Sequence, residues 1–137
     1  MSWDDLETFS FGDSPSLADE LAALVLQGRK RATCWAAAEG IQTEIGKRMV
    51  VLDGAGLPRA VIETVELRRL RFQEVDAAFA HDEGEGDLTL AYWRKAHRTY
   101  FTRKGQFAED MVLWCERFRI VEILSDMPGE RALLPGH

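Results

Sequence analysis

The most chemically unusual segment of this chain is a basic triplet, Arg29-Lys30-Arg31, followed two residues later by Thr33. Repulsion between three adjacent cations would lower the proton affinity of Lys30, and a lysine that is partly desolvated can act as a general base. Thr33 supplies a hydroxyl that such a base could activate for nucleophilic attack. The alternative is a basic turn that leads into a strand. The residue types alone favour this plainer interpretation.

Cysteine and histidine offer a second set of candidates. Cys34, next to Thr33, could be a nucleophile with His81 as its base, but nothing in the sequence specifically activates its thiol, and buried free cysteines are usually inert. His81, His97 and His137 lack the spacing of metal ligands, so we expect neither a metal nor another cofactor. His97 falls on an aromatic stripe and is expected to be half-buried with its hydrogen bonds satisfied.

Aromatic and acidic residues provide possible binding groups. Trp35, Tyr92 and Trp93 could each stack on a nucleic-acid base, although the spacing of Trp93 is more typical of a core residue. Strand alternation places Glu63 on the same face as two apolar residues of its own strand. A carboxylate on an apolar face indicates either a strand end or a site.

Composition limits the class of protein. The chain has 137 residues, 46% of them hydrophobic, which suits one domain with a core. Its net charge of −6 argues against a general nucleic-acid binder, although arginines cluster at 68, 69 and 71. The sequence lacks an apolar run of membrane-spanning length and a secretory signal, and its two cysteines form no CxxC motif. We therefore expect a cytoplasmic protein that does not enter a membrane.

The elements that must position these residues follow from turn signals and periodicity. Ser14-Pro15 predicts a helix start, Gly28 its end, and Asp87 the cap of a later helix. Strands clustered mid-chain, with one returning at the end, predict an α+β fold with a mixed or antiparallel sheet. The predicted segments are an arm over 1–13, a domain over 14–123 and a tail over 124–137. Within the domain we expect strands at 32–36, 49–52, 59–71 and 111–123, and helices at 14–28, 74–81 and 88–104.

Several short motifs resemble those of one known family. Gly28-Arg29-Lys30-Arg31-Ala32-Thr33 resembles the G-x-K-x-x-T signature of ASCH domain proteins. Further segments are similar, in the same order, to the longer branch of that family: Phe11-Gly12-Asp13-Ser14, Val51-Leu52-Asp53-Gly54, Glu83-Gly84-Glu85-Gly86-Asp87, residues 93–97 and Cys115-Glu116-Arg117-Phe118. The resemblance covers roughly residues 11–123. It implies a PUA-like fold, in which helices flank a small β-barrel.

The resemblance also implies an activity. Some short ASCH proteins are amidohydrolases that remove the acetyl group from N4-acetylcytidine with a lysine, a threonine and a glutamate. The matching residues are Lys30, Thr33 and Glu83, with Glu85 and Asp82 as alternatives for the glutamate. In this hypothesis a neutral lysine takes the proton of the threonine hydroxyl, and the threonine forms an acyl ester. The glutamate passes a proton to the leaving amine or orients the incoming water.

The expected partners follow from this hypothesis. The substrate would be a nucleoside or a short single-stranded RNA, bound by Arg29, Arg31, Trp35, Glu63 and Trp93. Other members of the family suggest an RNA-binding module or a ribonuclease that uses the same basic cleft, and a regulator that binds a small metabolite is a third possibility. Two positions depart from the family pattern: Arg31 replaces a small polar residue, and Lys47 stands where an acid is common. This extra positive charge favours a ligand that carries phosphate.

Overall fold

A curled, mixed sheet of five strands forms the centre of the fold in a computed structural model that describes residues 3–124. The strands are β1 (Glu7–Ser10), β2 (Ala32–Ala36), β3 (Arg48–Leu52), β4 (Pro58–Arg71) and β5 (Val112–Ile123), in the order β1-β3-β4-β5-β2. Only the pairing of β1 with β3 is parallel. The predicted α+β class with a mixed sheet is confirmed.

Three α-helices pack beside the sheet: α1 (Pro15–Leu26), α2 (Ala77–Glu83) and α3 (Leu90–Arg103). The Ser14 hydroxyl accepts a hydrogen bond from the Leu17 amide in the first turn of α1, where the sequence predicts a helix start. The cap of α3 is Thr89 rather than Asp87. The Asp87 carboxylate instead accepts hydrogen bonds from the amide and hydroxyl of Thr89, so it orders the turn that leads into the helix.

The core has two parts, one on each side of the curled sheet. Helix α1 packs its apolar side, including Leu21 and Val25, against Ile62 and Phe118 of the long strands. Helices α2 and α3 cover the other part, where Phe79 and Trp93 are among the buried residues. Strand β2 contributes Ala32 and Ala36 to this second part, and β2 and the loop before it carry Thr33 and Lys30.

Two details of the strands differ from the sequence-based expectation. A β-bulge in β4 between Thr64 and Glu66 interrupts the alternation, so Val65 is 45% exposed and does not share an inward face with Glu63. In the first half of β5 the fully buried residues are Leu113 and Cys115, on the face opposite to the one predicted.

The segment interpreted as an N-terminal arm is partly structured. Residues Glu7–Ser10 form β1, a sheet strand that the sequence analysis missed. The predicted tail lies outside the described residues except for Leu124. Within the described part of the chain, no helix has the length and hydropathy needed to cross a membrane.

Candidate functional site

Lys30 lies at the centre of a buried polar cluster. The residue is 1% exposed, and its backbone amide donates to Leu24 at the end of α1. Its ammonium donates to the Ala32 carbonyl at 2.8 Å, to Glu83 Oε1 at 3.2 Å and to Glu85 Oε2 at 3.0 Å. The loop before β2 and the end of α2 therefore bring together charged groups that are more than fifty positions apart in sequence.

Glycine makes this close approach possible. Gly84 ends α2 with a φ of +76°, and a Cβ built there would lie 2.3 Å from the backbone oxygen of Arg29. No side chain fits between these two backbones. A hydrogen bond of 2.7 Å from the Arg31 amide to the Asp82 carbonyl fixes the same contact. The geometry of the loop thus holds Glu83 against Lys30.

The Glu83 carboxylate is held at both oxygens. Oε1 faces the ammonium of Lys30, and Oε2 accepts a hydrogen bond from Trp93 Nε1 at 2.6 Å and lies 3.4 Å from His97 Nε2. The Trp93 and His97 rings stack at 4.3 Å, and His97 Nδ1 lies 2.9 Å from the Trp93 carbonyl oxygen. One helical turn of α3 therefore orients the carboxylate from the side opposite to Lys30.

The electrostatics correct the expectation of a neutral lysine. Burial by itself lowers the pKa of Lys30, but the carboxylates of Glu83 and Glu85 outweigh it and the pKa is raised. Burial raises the pKa of Glu83, yet the charge of Lys30, followed by His97 and the Trp93 hydrogen bond, lowers it overall. The resting pair is therefore charged. The neighbouring Arg29 and Arg31 do not lower the pKa of Lys30, because both side chains are exposed to solvent.

Thr33 presents a free hydroxyl to this cluster. It is half-buried on β2, and its side chain makes no hydrogen bond within residues 3–124. Thr33 lines a cavity of about 270 Å³ together with Lys30, Glu83 and Glu85. The wall of that cavity is aromatic: Phe11, Tyr92, Tyr100 and Phe101. Lys30, Thr33 and Glu83 thus converge on one cleft.

A second cavity, of about 300 Å³, adjoins the first and shares Thr33 and Tyr100 with it. It contains Glu116, a buried carboxyl group that the sequence analysis did not select as a site residue. Burial raises the pKa of Glu116, and neither the hydrogen bond from Thr64 nor the charge of Lys30 offsets this effect. The sequence feature that could have identified Glu116 is an acidic residue next to Cys115 in an otherwise apolar strand.

The five predicted binding residues have different positions. Trp35 lines the second cavity, and its Nε1 donates to the Gly40 carbonyl. Trp93 is 2% exposed and contacts Glu83, so it orients the carboxylate and offers no stacking face. The remaining three lie outside both cavities: Arg29 is exposed, Arg31 pairs with Asp82, and Glu63 pairs with Arg48 and Arg119.

The alternative nucleophile is not activated. Cys34 lines both cavities, but burial and the nearby Glu83 carboxylate raise the pKa of its thiol well above the usual range. His81, its suggested base, is exposed and lies beside Asp82.

One group of side chains could hold a metal ion. Donor atoms of Cys34, Glu83 and His97 all lie within 4.8 Å of one another. The carboxylate of this group already bonds the Lys30 ammonium and the Trp93 indole, so a bound cation would have to displace an existing charge. The observed contacts fit a lysine–glutamate pair better than a metal centre.

Solved structures share this architecture. A crystal structure of an ASCH domain from Lactobacillus crispatus JV V101 is 34% identical, with a TM-score of 0.78, over 84% of this chain and 79% of that chain. A protein of Enterococcus faecalis V583 is 31% identical, with a TM-score of 0.76, over 89% of this chain and 84% of the other. A hypothetical protein at 12% identity and TM-score 0.53, over 75% and 93% of the two chains, shows the fold alone.

The sequence comparison agrees. No curated protein matches the chain significantly. The family model of the ASCH domain matches residues 7–122, a span that includes β1 and every residue of the two cavities. The expected resemblance is therefore confirmed, and the chain belongs to the ASCH domain family.

Proposed function

We propose that this protein is an amidohydrolase that removes the acyl group from N4-acetylcytidine or a similar N4-acyl cytosine compound. The observation that carries the proposal is the shared cavity of Lys30, Thr33 and Glu83, with the lysine–glutamate pair wholly buried beside an accessible hydroxyl. Buried charge pairs in a cleft are typical of functional sites. The aromatic side chains that line this cavity and the adjoining one, with Tyr100 common to both, suit a planar base.

The charged resting pair changes the order of the first steps. The Lys30 ammonium first passes a proton to Glu83 across their 3.2 Å contact, so that a neutral amine faces the cleft. This amine takes the proton of the Thr33 hydroxyl while the threonine oxygen bonds to the acyl carbon. The C–N4 bond then breaks, and Glu83 gives its proton to the departing amine. An acyl ester remains on Thr33, and the pair is again charged.

Hydrolysis of the ester returns the enzyme to rest. Water attacks the acyl carbon and gives its proton to the Glu83 carboxylate. The Thr33 oxygen leaves with a proton from Lys30, and transfer of a proton from Glu83 to Lys30 restores the charged pair. Trp93 and His97 hold the carboxylate in place throughout because their contacts are to its other oxygen. A positioned acid or base of this kind contributes about a hundred- to ten-thousand-fold in rate.

The test is hydrolysis of N4-acyl cytidines, followed by mass spectrometry of the products. Thr33→Val removes the nucleophile with little change of shape, so we expect turnover to fall at least about a hundredfold. Thr33→Ser should retain part of the rate because it keeps the hydroxyl. The matched control is Thr8→Val, which changes an exposed strand threonine outside both cavities. Near wild-type turnover by Thr33→Val would remove Thr33 as the nucleophile.

A second candidate function is the binding of single-stranded RNA. The observation that favours it is an exposed arginine on β4, Arg69, whose guanidinium lies 5.5 Å from the centre of the Trp114 ring. An arginine next to an aromatic ring can contact both a phosphate and a base. The neighbouring Arg68 pairs with Glu66, which weakens the positive character of this surface.

RNA binding has a separate signature. If it is the main role, affinity for short RNAs should fall with salt by a slope of about −0.7 per neutralised phosphate, and Arg69→Glu should weaken it. Arg94→Glu, an exposed charge reversal on α3, is the matched control. Undetectable binding at low salt would contradict this candidate.

A further inference from the structure

The strongest unassigned feature lies directly across the sheet from Thr33. In the antiparallel pairing of β2 with β5, Thr33 and Glu116 are register partners. Directly opposed residues have Cβ atoms about 4.5–5.5 Å apart on one face of a sheet. Both residues line the second cavity. The Glu116 carboxyl group is therefore within the length of a small substrate of the proposed nucleophile.

The structure holds this carboxyl group without neutralising it. The Thr64 hydroxyl donates to Glu116 Oε2 at 2.7 Å, and Thr64 in turn lies 2.8 Å from the hydroxyl of Thr43. Thr43 and Thr64 are themselves buried. Glu116 forms no ion pair with any residue that the structure describes, and Oε1 has no hydrogen-bond partner there.

The free oxygen of Glu116 is accessible from the cavity, so a ligand there can reach it. Glu116 is 7% exposed, and burial of a carboxyl group favours its protonated form. Because Thr64 donates to Oε2, the proton of the neutral acid belongs on Oε1, where it can be donated into the cleft. Trp35 and Tyr100 line the same cavity, so a flat ring could lie beside this donor.

We infer that Glu116 is a substrate-recognition residue whose Oε1, protonated as a bound base displaces solvent from the cavity, donates a hydrogen bond to the ring nitrogen N3 of the pyrimidine. This inference rests on the proposed function and names the group that selects the base. N3 of an N4-acyl cytosine carries a lone pair and is separated from the N4 atom by one ring carbon, so a base bound with its amide at Thr33 brings N3 towards the opposite strand. A uracil carries a hydrogen at N3 and cannot accept this bond.

The experiment pairs a protein change with a change of one substrate atom. Glu116→Met removes the donor with similar size, and N4-acetyl-3-deazacytidine removes the acceptor. For the wild type, the 3-deaza analogue should lose about tenfold in kcat/KM. On N4-acetylcytidine, Glu116→Met should lose about tenfold in kcat/KM, chiefly through KM. Changing to the analogue should then lower the kcat/KM of this variant by less than about twofold. Glu116→Gln keeps a donor and should stay within about threefold of wild type.

A control variant and the pattern of outcomes distinguish the Glu116 inference from the proposed function. Glu122→Met changes an exposed acid of the same strand outside both cavities and should leave both substrates unaffected. If Glu116→Met does not fold, Glu116→Ala also removes the donor and gives the same comparison. Equal losses from the 3-deaza change in wild type and Glu116→Met would overturn the Glu116 inference alone. A wild type that cleaves no N4-acyl cytidine would overturn the proposed function and this inference with it.

Discussion

The buried pair of Lys30 and Glu83 makes an asymmetric prediction about stability. Lys30→Met leaves the Glu83 carboxylate buried without its cation, which typically costs about 3–5 kcal/mol of unfolding free energy. Glu83→Gln leaves Lys30 with a second carboxylate, Glu85, at 3.0 Å, and that residue is 26% exposed and therefore partly hydrated. We expect this second variant to lose only about 1–3 kcal/mol.

The thermal shift follows from the size of the domain. At about 2.1 cal/mol/K per residue, the 137 residues give an unfolding entropy near 0.29 kcal/mol/K. Lys30→Met should therefore lower Tm by about 10–17 °C. The double variant, Lys30→Met with Glu83→Gln, should be more stable than the sum of the two losses predicts, by about 2 kcal/mol, because it buries no unpaired charge.

Urea unfolding followed by circular dichroism measures these differences, with equal slopes as evidence that the same surface is exposed. Glu85→Gln is the matched control, since it removes the more exposed of the two acids and should cost below about 1 kcal/mol. Strict additivity of the two single variants, or a loss below about 1 kcal/mol for Lys30→Met, would refute the picture of a coupled, buried charge pair.

Further predictions concern pH, the loop and the thiol. Since the pKa of Glu83 is lowered and that of Lys30 is raised, the pair should stabilise the fold fully between about pH 4.5 and 10.5, and wild type should lose more stability outside this window than the double variant in denaturant titrations across pH. The pKa of Glu116 is raised, so its effect on stability has the opposite pH dependence. The stability that it contributes is present below about pH 4.5 and is lost as pH rises through the pKa of the folded state. Glu116→Gln should therefore raise stability at neutral pH in the same titrations. Gly84→Ala should cost more than about 2 kcal/mol in urea unfolding because its Cβ would meet a backbone oxygen. Cys34 should react with iodoacetamide far more slowly than a free thiol at pH 8, and a fast reaction monitored by mass spectrometry would contradict its raised pKa.

The sequence predicted more of the site than of its electrostatics. The resemblance of residues 28–33 and 83–87 to the ASCH domain family placed Lys30, Thr33 and Glu83 together, whereas the residue types alone favoured a basic turn. The predicted neutral state of Lys30 was wrong because the prediction considered only its neighbours in sequence. Adjacent residues of an extended segment point in different directions, and the groups that set the pKa of Lys30 come from α2 and the loop after it.

The fold shows the same limit at its edges and in its long strands. The strand Glu7–Ser10 is short and mostly exposed, so it has no periodic signal of its own, and it exists because β3 offers a partner. The bulge in β4 shifts the inward face, which removed Glu63 from the apolar face assigned to it. Glu116 escaped selection because only the pairing of β5 with β2 places it opposite Thr33.

The surroundings of the two carboxyl groups near Thr33 shift their pKa values in opposite directions. Glu83 is surrounded by a lysine, an indole and an imidazole, which favour its ionised form. Burial favours the protonated form of Glu116, and the hydrogen bond from Thr64 does not offset it. A buried charge pair is a poor way to stabilise a fold, since apolar residues of the same volume often do as well or better. Two acids whose pKa values are moved apart on either side of a free hydroxyl are instead what acid–base chemistry requires. Under the proposed function the arrangement serves acid–base chemistry rather than stability, and Thr33 is the residue on which both halves of the cleft converge.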